Sequence, residues 1–160
     1  MKNEKRSKAF QDYYTDEVSC CYGCGRLNED GLQIKSYWDG DEAVCTYTPR
    51  SYHTAIPGFV YGGLIASLID CHSTGTAAAA AYRAENRDMD SEPRFRYVTA
   101  SLKVDYLRPT PIDRDLIVRA KVEEISSRKV VVHSTLHVGD DITARGEVTV
   151  VQMPEDWLAS

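Results

Sequence analysis

Between Arg50 and Arg83 the only Asp, Glu, Lys or Arg is Asp70. It stands among Leu64, Ile65, Ala66, Leu68, Ile69 and a later run of alanines. A segment apolar nearly all round reads as a buried helix. A carboxylate inside one is costly unless it is paired, hydrogen-bonded or opened to a cavity. Burial also raises a carboxyl pKa, which suits a group that must accept a proton near neutral pH. At helical spacing its neighbours are Ala66, Ser67, Ser73 and Thr74, small or hydroxylic residues that leave room for a ligand. The competing reading is a structural carboxylate held by backbone amides or by an arginine from a neighbouring strand.

Gly62 and Gly63 open the same segment. Free N–H groups and the helix dipole favour negative charge at such a start, and glycine lets a ligand carbonyl approach the backbone closely. A carbonyl polarised there and a carboxylate further along the helix make an acyl-transfer site. Eight residues at 1.5 Å each is about 12 Å, too far for a small carbonyl to touch both ends. A second chain with its helix antiparallel to the first would supply the missing half.

Other reactive side chains carry weaker signals. Cys21-Tyr-Gly-Cys24 has the spacing of half a zinc knuckle, but no second C-x-x-C or H-x₃₋₅-H pair follows at knuckle distance. His133 and His137 fall on a strand pattern beside Thr135 and read as solvated. No metal site is therefore expected, and Gly23 and Gly25 read as a tight turn over packed thiols. The five cysteines (20, 21, 24, 45 and 71) are odd in number and read as reduced. His72 points to a different side of the helix from Asp70 and reads as a satisfied core or interface histidine. His53, in the loop before Pro57, could reach the site.

The elements that must position these groups follow from pattern. The helix spans about Gly62 to Arg83, preceded by a Pro- and Gly-containing loop over residues 49–61. Upstream, the runs LQIKSYW and EAVCTYT flank Asp39-Gly40, a hairpin signal. Downstream, YVTASLKVDYL, DLIVRAKVEEI, KVVVHSTLHV and ITARGEVTVVQM read as four strands. Their turns fall at Ser126-Ser127-Arg128 and at Gly139-Asp140-Asp141. In the first of the four, strict alternation puts Val98, Ala100, Leu102, Val104 and Tyr106 on one face and Thr99, Ser101, Lys103 and Asp105 on the other. Two strands, one long helix and four strands imply an α+β fold, an antiparallel sheet wrapped around one central helix. Residues 1–18 read as a loosely held arm with Phe10, Tyr13 and Tyr14 as anchors, and residues 19–160 as the folded domain.

Composition limits the rest. The chain has 160 residues, 42% hydrophobic and 27% charged, enough for one core and no second domain. A net charge of −5 argues against broad contact with nucleic-acid phosphates. No apolar run is long enough for a membrane span, and the charged start MKNEKRSKAFQDYY has no apolar region of a secretory signal. The cytoplasm is the expected compartment.

The segment Pro57-Gly58-Phe59-Val60-Tyr61-Gly62-Gly63, followed by six residues and Asp70, resembles the signature of the PaaI-like hotdog-fold acyl-CoA thioesterases. Val98 to Pro109 looks like that family's next strand, and CYGCGRLNEDGL (residues 21–32) like a preamble of some members. The resemblance covers roughly residues 20 to 152. It implies the hotdog fold and hydrolysis of an acyl-CoA thioester without metal or other cofactor, coenzyme A entering as part of the substrate. It implies a site shared in a homodimer, with pairing of dimers into a tetramer left open. Asp70 would be general base or nucleophile, and the Gly62 N–H of the other chain would polarise the carbonyl. Gly63 would allow close approach, and Thr99 would orient the attacking water. Tyr61 and His53 would contact substrate, with Arg108, Lys103, Arg128 and Lys129 as candidates for the coenzyme's phosphates and pantetheine. The family's histidine before the two glycines is Tyr61 here, which can donate a hydrogen bond but cannot act as an imidazole base. Ala55 stands near the place of an upstream polar residue that some members use. The alternatives are a non-catalytic dimer binding an acyl or aromatic ligand, and a dehydratase of the same fold. The latter would need a His–Asp or His–Glu pair that is not obvious here.

Overall fold

The computed structural model describes residues 8–158. Its strands are β1 (Tyr37–Asp39), β2 (Glu42–Tyr47), β3 (Tyr97–Tyr106), β4 (Leu116–Ile125), β5 (Lys129–Val138) and β6 (Asp141–Gln152), with one long helix, α1 (Gly62–Ala84). All pairings are antiparallel, in one sheet of order β1-β2-β4-β5-β6-β3. The sheet wraps α1, which packs against β2 through β6.

Residue chemistry accounts for the wrapping. Leu64, Leu68 and Ile69 are fully buried against the inner face, formed by Val118, Ala120, Val130, Val132, Leu136, Ala144 and Val148. Burying each such side chain contributes about 1.5–3 kcal/mol. The turns fall where expected. Gly40 (φ 66°) and Gly139 (φ 58°) adopt the left-handed conformation in the β1–β2 and β5–β6 loops, and residues 126–128 join β4 to β5. The helix runs one residue past its expected end.

Three expectations need correction. Residues 32–36 are not strand. Leu32 N–H donates to Tyr22 O (2.7 Å) and Ile34 N–H to Gly23 O (3.0 Å), so this backbone pairs with the preceding cysteine loop and β1 begins only at Tyr37. From Ala9 the arm is held rather than loose. Ala9, Phe10 and Gln11 are buried, Phe10 packs on Trp38 with ring centroids 5.1 Å apart, and Phe10 N–H donates to Ser36 O. Residues 1–7 lie outside the described part. The third correction concerns β3. Its pairing with β6 runs Thr99↔Val150 and then Ser101↔Thr149, leaving Ala100 as a bulge. Directly opposed residues share a face. Thr99 therefore lies on the helix side with Leu102, Val104 and Tyr106, opposite Val150, Val148, Gly146 and Ala144. Lys103, opposite Glu147, lies on the outer face.

Candidate active site

Helix α1 places Asp70 half-buried at mid-length, and the bulge at Ala100 turns Thr99 towards it. Thr99 Oγ1 donates to Asp70 Oδ1 at 2.6 Å. Thr74, one turn beyond Asp70, brings its Oγ1 to 3.1 Å from Thr99 Oγ1. With Thr99 donating to the carboxylate, Thr74 donates to Thr99, and the two hydroxyls form a relay that ends on Asp70. Burial pushes the Asp70 carboxyl above its ordinary range, the Thr99 hydrogen bond pulls it back, and Cys21 nearby adds to the rise. A hydrogen-bonded carboxylate whose charge burial disfavours is suited to taking a proton.

Asp70 and Thr99 open on a cavity of about 300 Å³. Its apolar wall includes Tyr14, Val18, Phe95, Tyr97, Val98 and Met153. Arg96 is its one cationic lining residue and is ion-paired with Glu17. Thr74 is one of the hydroxylic neighbours that helical spacing places beside Asp70, and Tyr14 is an anchor expected of the arm, whereas no signal in the sequence marks Arg96.

At the other end of the element, Tyr61 is the residue before α1 and Gly62 the first within it, so the Gly62 N–H has no acceptor in the helix. Tyr106 Oη donates to Gly62 O at 2.8 Å, fixing this first peptide. The Tyr61 ring folds back over Gly63, where an added Cβ would lie 1.8 Å from its hydroxyl. The preceding loop is anchored by its backbone. Tyr61 N–H donates to His53 O and Val60 N–H to Thr110 O, and Ala55 N–H donates to Phe59 O within the turn. His53 sits between Tyr47 and Tyr52, and its Nδ1 accepts from Arg50 N–H at 3.0 Å. Burial lowers its pKa, and Arg50 lowers it further. His53 thus shapes the loop that carries Tyr61.

None of the cations expected to meet the coenzyme lines the Asp70 cavity of its own chain. Lys103 faces outwards beside Asp105 (3.5 Å), because the bulge reverses the relation between Thr99 and the rest of the strand. Arg108 is exposed and ion-paired with Asp141 at 2.8 Å. Lys129 pairs with Glu124. His72 is a core histidine: Ser36 Oγ lies 2.8 Å from its Nδ1 and Ala43 O lies 3.2 Å from its Nε2. His133 pairs with Glu147 on the outer face, and His137 lies 2.8 Å from Thr135. The cysteine loop differs from the sequence expectation, since Cys71 of α1 joins Cys21 and Cys24.

A single helix embraced by this sheet, with a glycine pair at its start and a carboxylate at its middle, defines a hotdog-type domain. The chain belongs to the thioesterase superfamily, whose family model matches residues 57–145. It is 34% identical over 129 residues to acyl-coenzyme A thioesterase THEM4 of Xenopus laevis, covering 78% of this chain and 52% of that one. The Rattus norvegicus protein of that name is 31% identical over 108 residues, 68% of this chain and 41% of its own. The chain thus spans about half the length or less of these curated relatives. Among solved structures, a thioesterase superfamily protein from Shewanella loihica PV-4 is 47% identical with a TM-score of 0.63, covering 76% of this chain and 91% of that one. Zebrafish thioesterase superfamily member 2, at 18% identity and TM-score 0.65, covers 92% of this chain and all of that chain, and shows the shared fold. No helix among the described residues is long and apolar enough to cross a membrane.

Proposed function

We propose that this chain hydrolyses an acyl-CoA thioester to a carboxylic acid and free coenzyme A. The observation that carries the reading is Asp70, hydrogen-bonded by Thr99 and opening on an apolar-walled cavity of about 300 Å³. Asp70 takes a proton from a water that Thr99 helps to orient, and the water oxygen attacks the thioester carbon. The carbonyl oxygen gathers the negative charge and is held by the Gly62 N–H of a second copy. Collapse breaks the C–S bond, and the coenzyme thiolate leaves and takes up the proton that Asp70 accepted, which restores the carboxylate. Direct attack by the carboxylate, giving a mixed anhydride that water then cleaves, makes the same demand for an ionised Asp70. The acyl group occupies the cavity between Tyr14, Phe95, Tyr97 and Met153, and Arg96 at its wall is the nearest candidate for the coenzyme's charge.

The second copy is required by distance, since Gly62 and Asp70 of one helix are about 12 Å apart along its axis. Strand β3 is the sheet's terminal strand, with one edge unpaired and Leu102 and Tyr106 exposed. Pairing of two β3 edges in a homodimer, alone or within a dimer of dimers, would cover these residues. The five free thiols suit a reducing compartment, and the cytoplasm is the location proposed.

Release of coenzyme A from short, long and aromatic acyl-CoAs tests the reading. Wild type should turn over at least one of them, and Asp70→Asn should lose about a hundredfold or more. Tyr61 in place of histidine favours the second reading, a ligand-binding dimer. Tight acyl-CoA binding with no turnover by wild type would select it.

A further inference from the structure

The thiols of Cys21, Cys24 and Cys71 meet at one wall of the Asp70 cavity. All three sulfurs lie within 4.8 Å of one another, and Cys21 Sγ is 3.9 Å from Cys71 Sγ. Three thiolates about 2.3 Å from one tetrahedral ion sit roughly 3.8 Å apart, close to this triangle. A disulfide would instead require two of the sulfurs to close to about 2.05 Å.

The convergence is built into the local backbone. A Cβ at Gly23 would lie 2.3 Å from Cys71 Sγ, so only glycine lets the loop pass this close to the helix thiol. Gly25 is similarly confined, its added Cβ falling 2.4 Å from Ser19 O and 2.5 Å from Cys21 N. Gly25 N–H donates to Cys21 O (2.8 Å), while the bonds to Leu32 and Ile34 fasten the other side of the loop. Cys71 is fixed on α1. Cys24 and Cys71 are buried, and Cys21 is exposed to solvent, from which an ion would enter. Among the described residues, no other three His, Cys, Asp or Glu side chains converge in this way.

We propose that Cys21, Cys24 and Cys71 form a three-thiolate site for a thiophilic cation, zinc foremost, with its fourth position open to the Asp70 cavity. The thiols lose their protons to solvent on binding, with no oxidation. An ion there occupies space in the cavity beside Asp70, so occupancy suppresses hydrolysis. That suppression rests on the thioesterase reading, whereas the binding does not.

The test uses the reduced, metal-free protein titrated with Co²⁺, read by the thiolate-to-cobalt absorption in the near ultraviolet, followed by displacement with Zn²⁺. One equivalent should saturate wild type and Cys20→Ser, Zn²⁺ should abolish the band, and Cys21→Ser and Cys71→Ser should each lack it. Cys21 is exposed, so its replacement keeps the test decisive if the buried Cys71 variant misfolds. No band in wild type, or a band that survives Cys21→Ser, would overturn the site. The absorption is read without substrate, so its outcome is independent of whether any acyl-CoA is hydrolysed. If turnover is found, Zn²⁺ should inhibit wild type and spare Cys21→Ser; equal inhibition of both would overturn the link to activity.

Discussion

Asp70 acts, in this reading, only when ionised, and two opposed influences set how readily it ionises. Burial disfavours the charge, and the Thr99 hydroxyl favours it by donating at 2.6 Å. Activity limited by Asp70 should therefore rise with pH as the carboxyl loses its proton. Thr99→Val removes the favourable hydrogen bond, so the acidic limb of the kcat/KM profile should move to higher pH. An unmoved limb with an equal drop at every pH would mean that Thr99 does not tune Asp70. Asp70 was legible in the sequence because it is the lone charge in an apolar helix. Thr99 was legible only through the family pattern, and the face assigned to it was mistaken. Alternation cannot reveal a bulge, and the one at Ala100 puts Thr99 on the inside and leaves Lys103 outside. Arg108 is exposed beside Asp141, so neither cation reaches Asp70 of its own chain.

At the scale of elements, α1 is positioned by close approach to the sheet. A Cβ at Gly146 of β6 would lie 2.3 Å from Ile69 Cγ2, next in sequence to Asp70. Gly146→Ala should cost about 1–3 kcal/mol of stability, measured by urea unfolding. The helix is also tied to the arm and to β2 by a buried chain. Gln11 Nε2 donates to Ser36 Oγ, which faces His72 Nδ1, and the other ring nitrogen faces Ala43 O. Burial lowers the His72 pKa from 6.5 to about 4. The unfolded chain therefore binds more protons between these values, and stability should fall as pH drops from 6.5 towards 4. The loss is about 3 kcal/mol at about 1.4 kcal/mol per pH unit. His72→Leu should be less stable at pH 7, because its partners are left unpaired, but should lack this contribution to the slope. The helix, the hairpins and the six strands were legible from periodicity and turn residues. Residues 32–36 were not, since their backbone partners lie in the cysteine loop rather than in the sheet. Cys71 is equally hidden, as the third corner of a thiol triangle that begins 50 residues earlier.

For the whole molecule, the proposed site is divided between two copies, with Asp70 from one and the Gly62 amide from the other. Gly62 is the first residue of α1, a place where proline is tolerated because its N–H serves no helical hydrogen bond. Tyr61 before it is already extended at φ −66°, ψ 134°. An added Cβ at Gly62 would meet the movable Tyr106 hydroxyl at 3.3 Å. Gly62→Pro thus removes the amide hydrogen at small structural cost. The measurement to make is acyl-CoA hydrolysis by Gly62→Pro and Asp70→Asn, each alone and then unfolded and refolded together in equal amounts. Each alone should be nearly inactive. The mixture should recover about a quarter of the wild-type rate, because half of the dimers are mixed and each mixed dimer holds one intact site. A mixture no more active than its separate components, with mixed dimers shown to have formed, would contradict the divided site.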